Sequence, residues 1–167
     1  MVSGFHEARE NMQRQNQAGF SLIELLIVVA IIGIISSIAI PNLLASRRAA
    51  NEGSAQSSMR TISSCETSYK FTYGNGSYTD LATLGSKVMT DTVLSAGMKS
   101  GYTFAANPTG PPEQFWAYGY PVTTSGIAQT GTRRFAITED GVLRADLDLS
   151  GPPADEAAVL AMPASGN

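Results

Sequence analysis

The strongest constraint in this chain is an uncharged run. From Leu25 to Ser46, no Asp, Glu, Lys or Arg interrupts "LLIVVAIIGIISSIAIPNLLAS". About 20 such residues in a helix cross the hydrocarbon core of a bilayer, so the stretch needs either lipid or a protein assembly around it. A carboxylate, Glu24, stands at its mouth. An ionised side chain at bilayer depth costs about 2.5–3.5 kcal/mol on insertion scales, so Glu24 needs a partner or an exit to the interface. A secretory signal peptide is a poor match: its apolar region is short and ends at a small-residue cleavage site. Here the run is longer, and it passes into Pro41-Asn42 and a further helical pattern. A plain transmembrane helix fits the length but leaves Glu24 and the Ala18-Gly19-Phe20 junction unexplained. The bland account of Glu24 is snorkelling from the end of a span to the interface.

Charge and cysteine exclude several functions. Charged residues are 15% of the 167 and the formal net charge is −3, and Lys/Arg never run beyond the pairs Arg47-Arg48 and Arg133-Arg134. Nucleic acid is therefore not indicated as a partner. One Cys (Cys65) and one His (His6) allow neither an intramolecular disulfide nor a thiolate zinc site. Cys65 reads as a small apolar side chain, with an intermolecular bridge or a reactive thiol left open. His6 has no assignable role.

The stretch "GFSLIELLIVVAIIGIISSIAIPNLLASRRAANE", beginning at Gly19, closely resembles the class III signal of type IV pilins and the pseudopilins of type II secretion. The resemblance is strong from Gly19 to about Tyr73. It implies that a prepilin peptidase on the cytoplasmic side cuts between Gly19 and Phe20 and methylates the new Phe20 amine. Glu24 then becomes the fifth mature residue, which the family reserves for glutamate, and the apolar segment is retained. In a filament, the Phe20 amine of one subunit would meet the Glu24 carboxylate of a neighbour, so that only the correct axial stagger neutralises the acid. Breaking a buried ion pair costs about 3–5 kcal/mol. Residues 1–19 would be a cleaved leader. They hold Arg9 and Arg14 against Glu7 and Glu10, whereas a start at Met12 in place of Met1 leaves Arg14 without an acid. A start at Met12 is the expectation.

A long helix is expected from Phe20 to about Thr72, with residues 20–44 as its membrane and filament-core half and 45–73 as an amphipathic half. Gly33 and Pro41 are candidate points of kinking, since Pro removes a helix hydrogen bond, and the resemblance adds melting there on assembly. Ala55, Met59, Ile62, Cys65, Tyr69 and Thr72 recur at three- and four-residue spacing, the seam on which a sheet would pack. Arg47, Arg48, Glu52, Arg60 and Lys70 lie largely off that stripe. "GNG" at Gly74–Gly76 stops the helix.

Residues 74–167 read as a small head. Thr79 or Asp80, and Thr90 or Asp91, are cap candidates for short helical turns, with Gly97 as a stop. Strands are expected at Gly101–Ala106, Phe115–Thr123, Arg133–Thr138 and Val142–Asp146, with a tight turn at Glu139-Asp140-Gly141. The fold class is α+β: a long helix laid on an antiparallel sheet of about four strands, the pilin fold that the resemblance implies. The Ala- and Pro-rich tail after Ser150 is expected to be a surface strap or a frayed end.

No catalytic constellation is legible, so the chain reads as a non-enzyme. The acids Glu139, Asp140, Asp146, Asp148 and Asp155 raise calcium, which related major pseudopilins bind. "DLDLSGPPADE" lacks that loop's density of acid and glycine, and alternating Asp146/Asp148 suits an exposed strand face, so no metal site and no cofactor is assigned. The ring cluster around Tyr69–Tyr78 and Tyr102–Tyr120 reads as packing between helix and sheet, not as an electron path. The resemblance implies a structural subunit of a type IV pilus-like filament for adhesion, motility or DNA uptake. It would be inserted in the inner membrane with its head outside the cytoplasm and polymerised with copies of itself. A platform protein and an assembly ATPase would assist. A major pseudopilin of type II secretion is the alternative, and a membrane-anchored binding protein that does not polymerise is a further one.

Overall fold

The computed structural model describes residues 19–110 and 113–165; the leader residues up to Ala18, with Met12 and His6, lie outside them. The chain divides between Asn42 and Leu43 into two compact units.

The first unit is the opening stretch of α1, which as a whole spans Leu22–Thr72. Leu, Ile, Val and Ala dominate it, and a helix satisfies every backbone group internally, as lipid requires. The helix continues through Gly33 and Pro41. Near the proline, which has no N–H to give, the Asn42 amide donates to the Ile38 carbonyl at 3.1 Å and the Ser37 hydroxyl to that of Ile34 at 2.8 Å.

The second unit contains the rest of α1, three short helices and a sheet. Two chain reversals follow α1. At its end, Asn75 and Gly76 both adopt positive φ, and the N–H groups of Gly74 and Gly76 reach back to the carbonyls of Tyr69 and Lys70. Asp80 then caps α2 (Leu81–Lys87) by accepting from the Thr83 N–H, and Asp91 caps α3 (Thr92–Ser95) by accepting from Val93 and Leu94. Of each expected cap pair, the aspartate serves.

The sheet holds five antiparallel strands in chain order: β1 (Met98–Lys99), β2 (Tyr102–Thr109), β3 (Gln114–Pro121), β4 (Arg134–Thr138) and β5 (Arg144–Asp146). Four of these match the expected strands within a few residues. β1 is an addition, too short for any alternation to announce it. Alternation along β3 sends Phe115 and Ala117 toward α1, where they join Met59 and Ile62 in the main core. Gly119 continues that face, and a Cβ there would press on Phe104 and the Met59 sulfur. The tight turn forms at Gly141, whose φ is positive and whose N–H bonds the Thr138 carbonyl.

The tail departs from the expectation of a frayed end. Asp155 caps α4 (Glu156–Leu160). Val159 and Met162 are buried against Trp116 and Ala136 on the face of the sheet away from α1. The strap is thus a second small core, and Trp116 stacks on Tyr118 within it at 5.8 Å between ring centroids.

Candidate functional site

The candidate site is the start of α1. Phe20 is 91% exposed, and all fifteen large apolar side chains from Phe20 to Leu43 are more than half exposed. Globular chains rarely leave a contiguous apolar surface of this extent without a partner or a membrane. Glu24 lies in the first turn, and its Oε2 accepts the Ser21 N–H at 2.9 Å. This bond satisfies one of the helix's orphan donors. It leaves Oε1 without a hydrogen bond among the described residues. A carboxylate with a free oxygen near the positive end of a helix suits a cationic partner, and none is present beside it among the described residues. Gly19 and Phe20 precede the helix in non-helical backbone. Gly19 and Phe20 thus lie just before the helix and Glu24 in its first turn. Gly33 and Pro41 lie further along the helix.

Two further acids on α1 contrast with Glu24, and the sequence reading missed both. Glu52 is buried, not off the stripe as expected. Its Oε1 accepts from the Thr132 N–H (2.7 Å) and hydroxyl (2.6 Å), while Oε2 pairs with Arg133 at 2.9 Å. Burial alone would raise its pKa, but the bonds from Thr132 and Arg133 outweigh burial and hold it below the ordinary value. Glu66 has no exposed surface. Burial pushes its pKa up to about 7, with help from Asp80 and against a hydrogen bond from the Thr79 N–H at 3.1 Å. Its Oε1 has no partner among the described residues. A signal was available, since Glu52, Ala55, Met59, Ile62, Glu66 and Tyr69 alternate spacings of three and four, placing both acids on the seam itself.

The acids of the C-terminal hairpin are also engaged. Asp146 is half-buried and receives both Nε and Nη2 of Arg134, at 2.7 and 2.9 Å, instead of lying on an open strand face. Asp148 pairs with the same Arg134 at 3.1 Å, and Asp140 pairs with Arg144 at 2.6 Å. These three aspartates are therefore paired with guanidinium groups, and no cluster of metal-ligating residues occurs among the described residues.

Sequence comparisons add the deciding observation. The prokaryotic N-terminal methylation motif matches residues 14–40. The type IV wide pilus major component PilA4 of Thermus thermophilus is 35% identical over 126 residues, 71% of this chain and 91% of that protein. The chain belongs to the type IV pilin family. Two secretion proteins of the same family, the type II secretion system core proteins G of Aeromonas hydrophila and Klebsiella michiganensis, match it over 59 residues at 34% and 36% identity. Those matches cover 35% of this pilin and 41% and 42% of the relatives. No solved structure matches it. The long α1 and antiparallel sheet are the α+β pilin arrangement, and the family is a structural one.

Proposed function

We propose that this pilin is the repeating subunit of a type IV pilus-like filament. The observation that carries this reading is the bare apolar half of α1 with Glu24 at its head. Fifteen large side chains need cover that their own chain does not supply. A bilayer supplies it before assembly, and the packed helices of neighbouring subunits supply it afterwards. Prepilin peptidase cuts after Gly19 and methylates Phe20, and the freed amine pairs with the open oxygen of a neighbour's Glu24. The anchored precursor sits in the inner membrane with its head outside the cytoplasm. A platform protein and an ATPase drive polymerisation, and Gly33 and Pro41 are the places where the helix loosens during packing.

The extent of similarity favours the pilus over the secretion reading. It runs along nearly all of the pilus component, whereas it stops after 59 residues of the secretion proteins. A mass spectrum of the chain from fibres tests the processing: the expected species starts at Phe20 and carries one extra methyl group. Material that forms fibres while retaining Gly19 overturns it. Deleting the gene separates the two uses. Loss of surface fibres with normal protein export supports the pilus, and loss of export alone supports a secretion pseudopilus.

A further inference from the structure

The loop between β3 and β4, residues 123–132, presents an apolar side chain on a rigid mount. Ile127 is 82% exposed at its tip. Beneath it the loop is tied to itself, with the Thr130 N–H bonded to the Thr123 carbonyl and the Gln129 amide to that of Thr124. It is also tied to α1. The Asn51 amide donates to the Thr130 carbonyl at 2.9 Å, and Arg48 donates to the Gln129 side chain at 3.1 Å. Between loop and helix lies a cavity of about 150 Å³, walled by Leu44, Arg47 and Asn51 on one side and by Ile127–Thr130 on the other. Arg47 is exposed and makes no ion pair or hydrogen bond among the described residues. Its neighbour Arg48 is the one engaged by the loop.

Chain position says what this corner faces. Arg47 is the first charge after Glu24. At a rise of about 1.5 Å per residue, the helix between them is roughly 34 Å long, a little more than the ~30 Å hydrocarbon core. When the apolar run crosses the membrane, Arg47 therefore arrives at the level of the phosphates, and the loop packed beside Leu44 and Arg47 arrives with it. An exposed Ile next to an unpaired Arg is the pairing an interface rewards, with the apolar group among acyl carbonyls and the guanidinium forked onto phosphate.

We propose that this corner is a phospholipid contact of the membrane-held precursor. Arg47 takes a headgroup phosphate at the mouth of the cavity, and Ile127 inserts into the bilayer surface beside it. The contact would hold the head down on the membrane until the subunit is extracted into a filament. It rests on the membrane-anchored reading of α1.

The test uses the full chain in lipid nanodiscs of equal parts phosphatidylglycerol and phosphatidylcholine, doped with a lipid bearing a nitroxide on its headgroup. The Gly126–Gln129 amides should broaden at least twofold more than those of Ser64 and Thr67, exposed residues far along α1. Arg47→Glu and, independently, Ile127→Asp should each halve that excess while the chain still co-elutes with the discs. Broadening no greater than at Ser64 and Thr67, or an excess indifferent to both variants, overturns the contact while leaving the anchor intact. Protection of the loop that appears only in assembled fibres overturns it in favour of a neighbouring subunit. A parent chain that fails to enter the discs removes the anchoring reading as well.

Discussion

Glu24 and Glu52 belong to one helix, yet Glu52 draws two hydrogen bonds from Thr132 and an ion pair from Arg133, while Glu24 has the Ser21 N–H alone. The apolar side chains around them differ in the same way. Those from Phe20 to Leu43 are bare, whereas Ala55, Met59 and Ile62 are almost wholly covered by the sheet. Composition runs with the contrast, since the first half is uncharged from Leu25 to Ser46 and the second carries Arg47, Arg48, Glu52, Arg60, Glu66 and Lys70. The second half is completed inside its own chain, and on the proposed reading the first is completed from outside. A single helix is thus covered by its own chain over one stretch and left exposed over the other.

The largest expected break in this comparison comes from Glu24→Gln. It keeps the shape and an oxygen for the Ser21 N–H but removes the charge that the proposed pairing with a neighbour's amine requires. Fibre yield by shearing and electron microscopy should fall at least tenfold, with the head's thermal melting unchanged; normal fibres would mean that Glu24 needs no cation. Next in size is a matched pair of truncations in detergent. Ile62→Ala should cost the head about 4 kcal/mol of unfolding free energy, within the span for emptied core sites. Ile31→Ala should leave head melting unaltered, because that side chain is half exposed and belongs to no buried cluster. Equal losses from both would erase the distinction between the halves.

A smaller effect separates the two buried acids by the sign of their pH response. Glu66 titrates at about 7 against an ordinary 4.5. The folded chain therefore holds a proton that the unfolded chain has already released. Stability from this group is full below about pH 4.5 and drains away as pH climbs to about 7, by roughly 3 kcal/mol in total. Glu66→Gln should flatten that slope in denaturant titrations of the full chain. Glu52 is shifted the other way, so its contribution is present above the ordinary carboxylate value and is lost in acid. The smallest expected effect is none. Millimolar calcium should leave the melting temperature within a degree, because Arg134 and Arg144 already hold Asp146, Asp148 and Asp140. A clear rise would mean that an ion can displace them.

Much of the fold was legible because its signals are local. Asp80 and Asp91 cap, Asn75-Gly76 turns the chain, and the alternation along β3 and β4 states which side faces the helix. The candidate site was proposed from a different kind of signal: Gly19, Phe20 and Glu24 fall in a short stretch of sequence that the N-terminal methylation motif covers, with no tertiary contact needed. What escaped depends on partners distant in sequence. Glu52 and Glu66 occupy seam positions, but charge disguised them, and only Thr132, Arg133 and Thr79 make their burial tolerable. Val159 and Met162 sit in a tail read as either a surface strap or a frayed end, and Trp116 and Ala136 on the outer sheet face decide for the strap. β1 is two residues long and exists because β2 lies next to it.

The order of the sheet has a consequence for biogenesis. Each strand pairs with the one made just before it, β1 with β2 and so on to β5, and the tail closes over Trp116 last. A chain that emerges from its N-terminus onward finds each strand's partner already made as the next segment appears. Sequential zippering of this kind avoids long loop closures and exposes few unpaired edges on the way, so synthesis and folding of the domain can proceed in step toward the C-terminus.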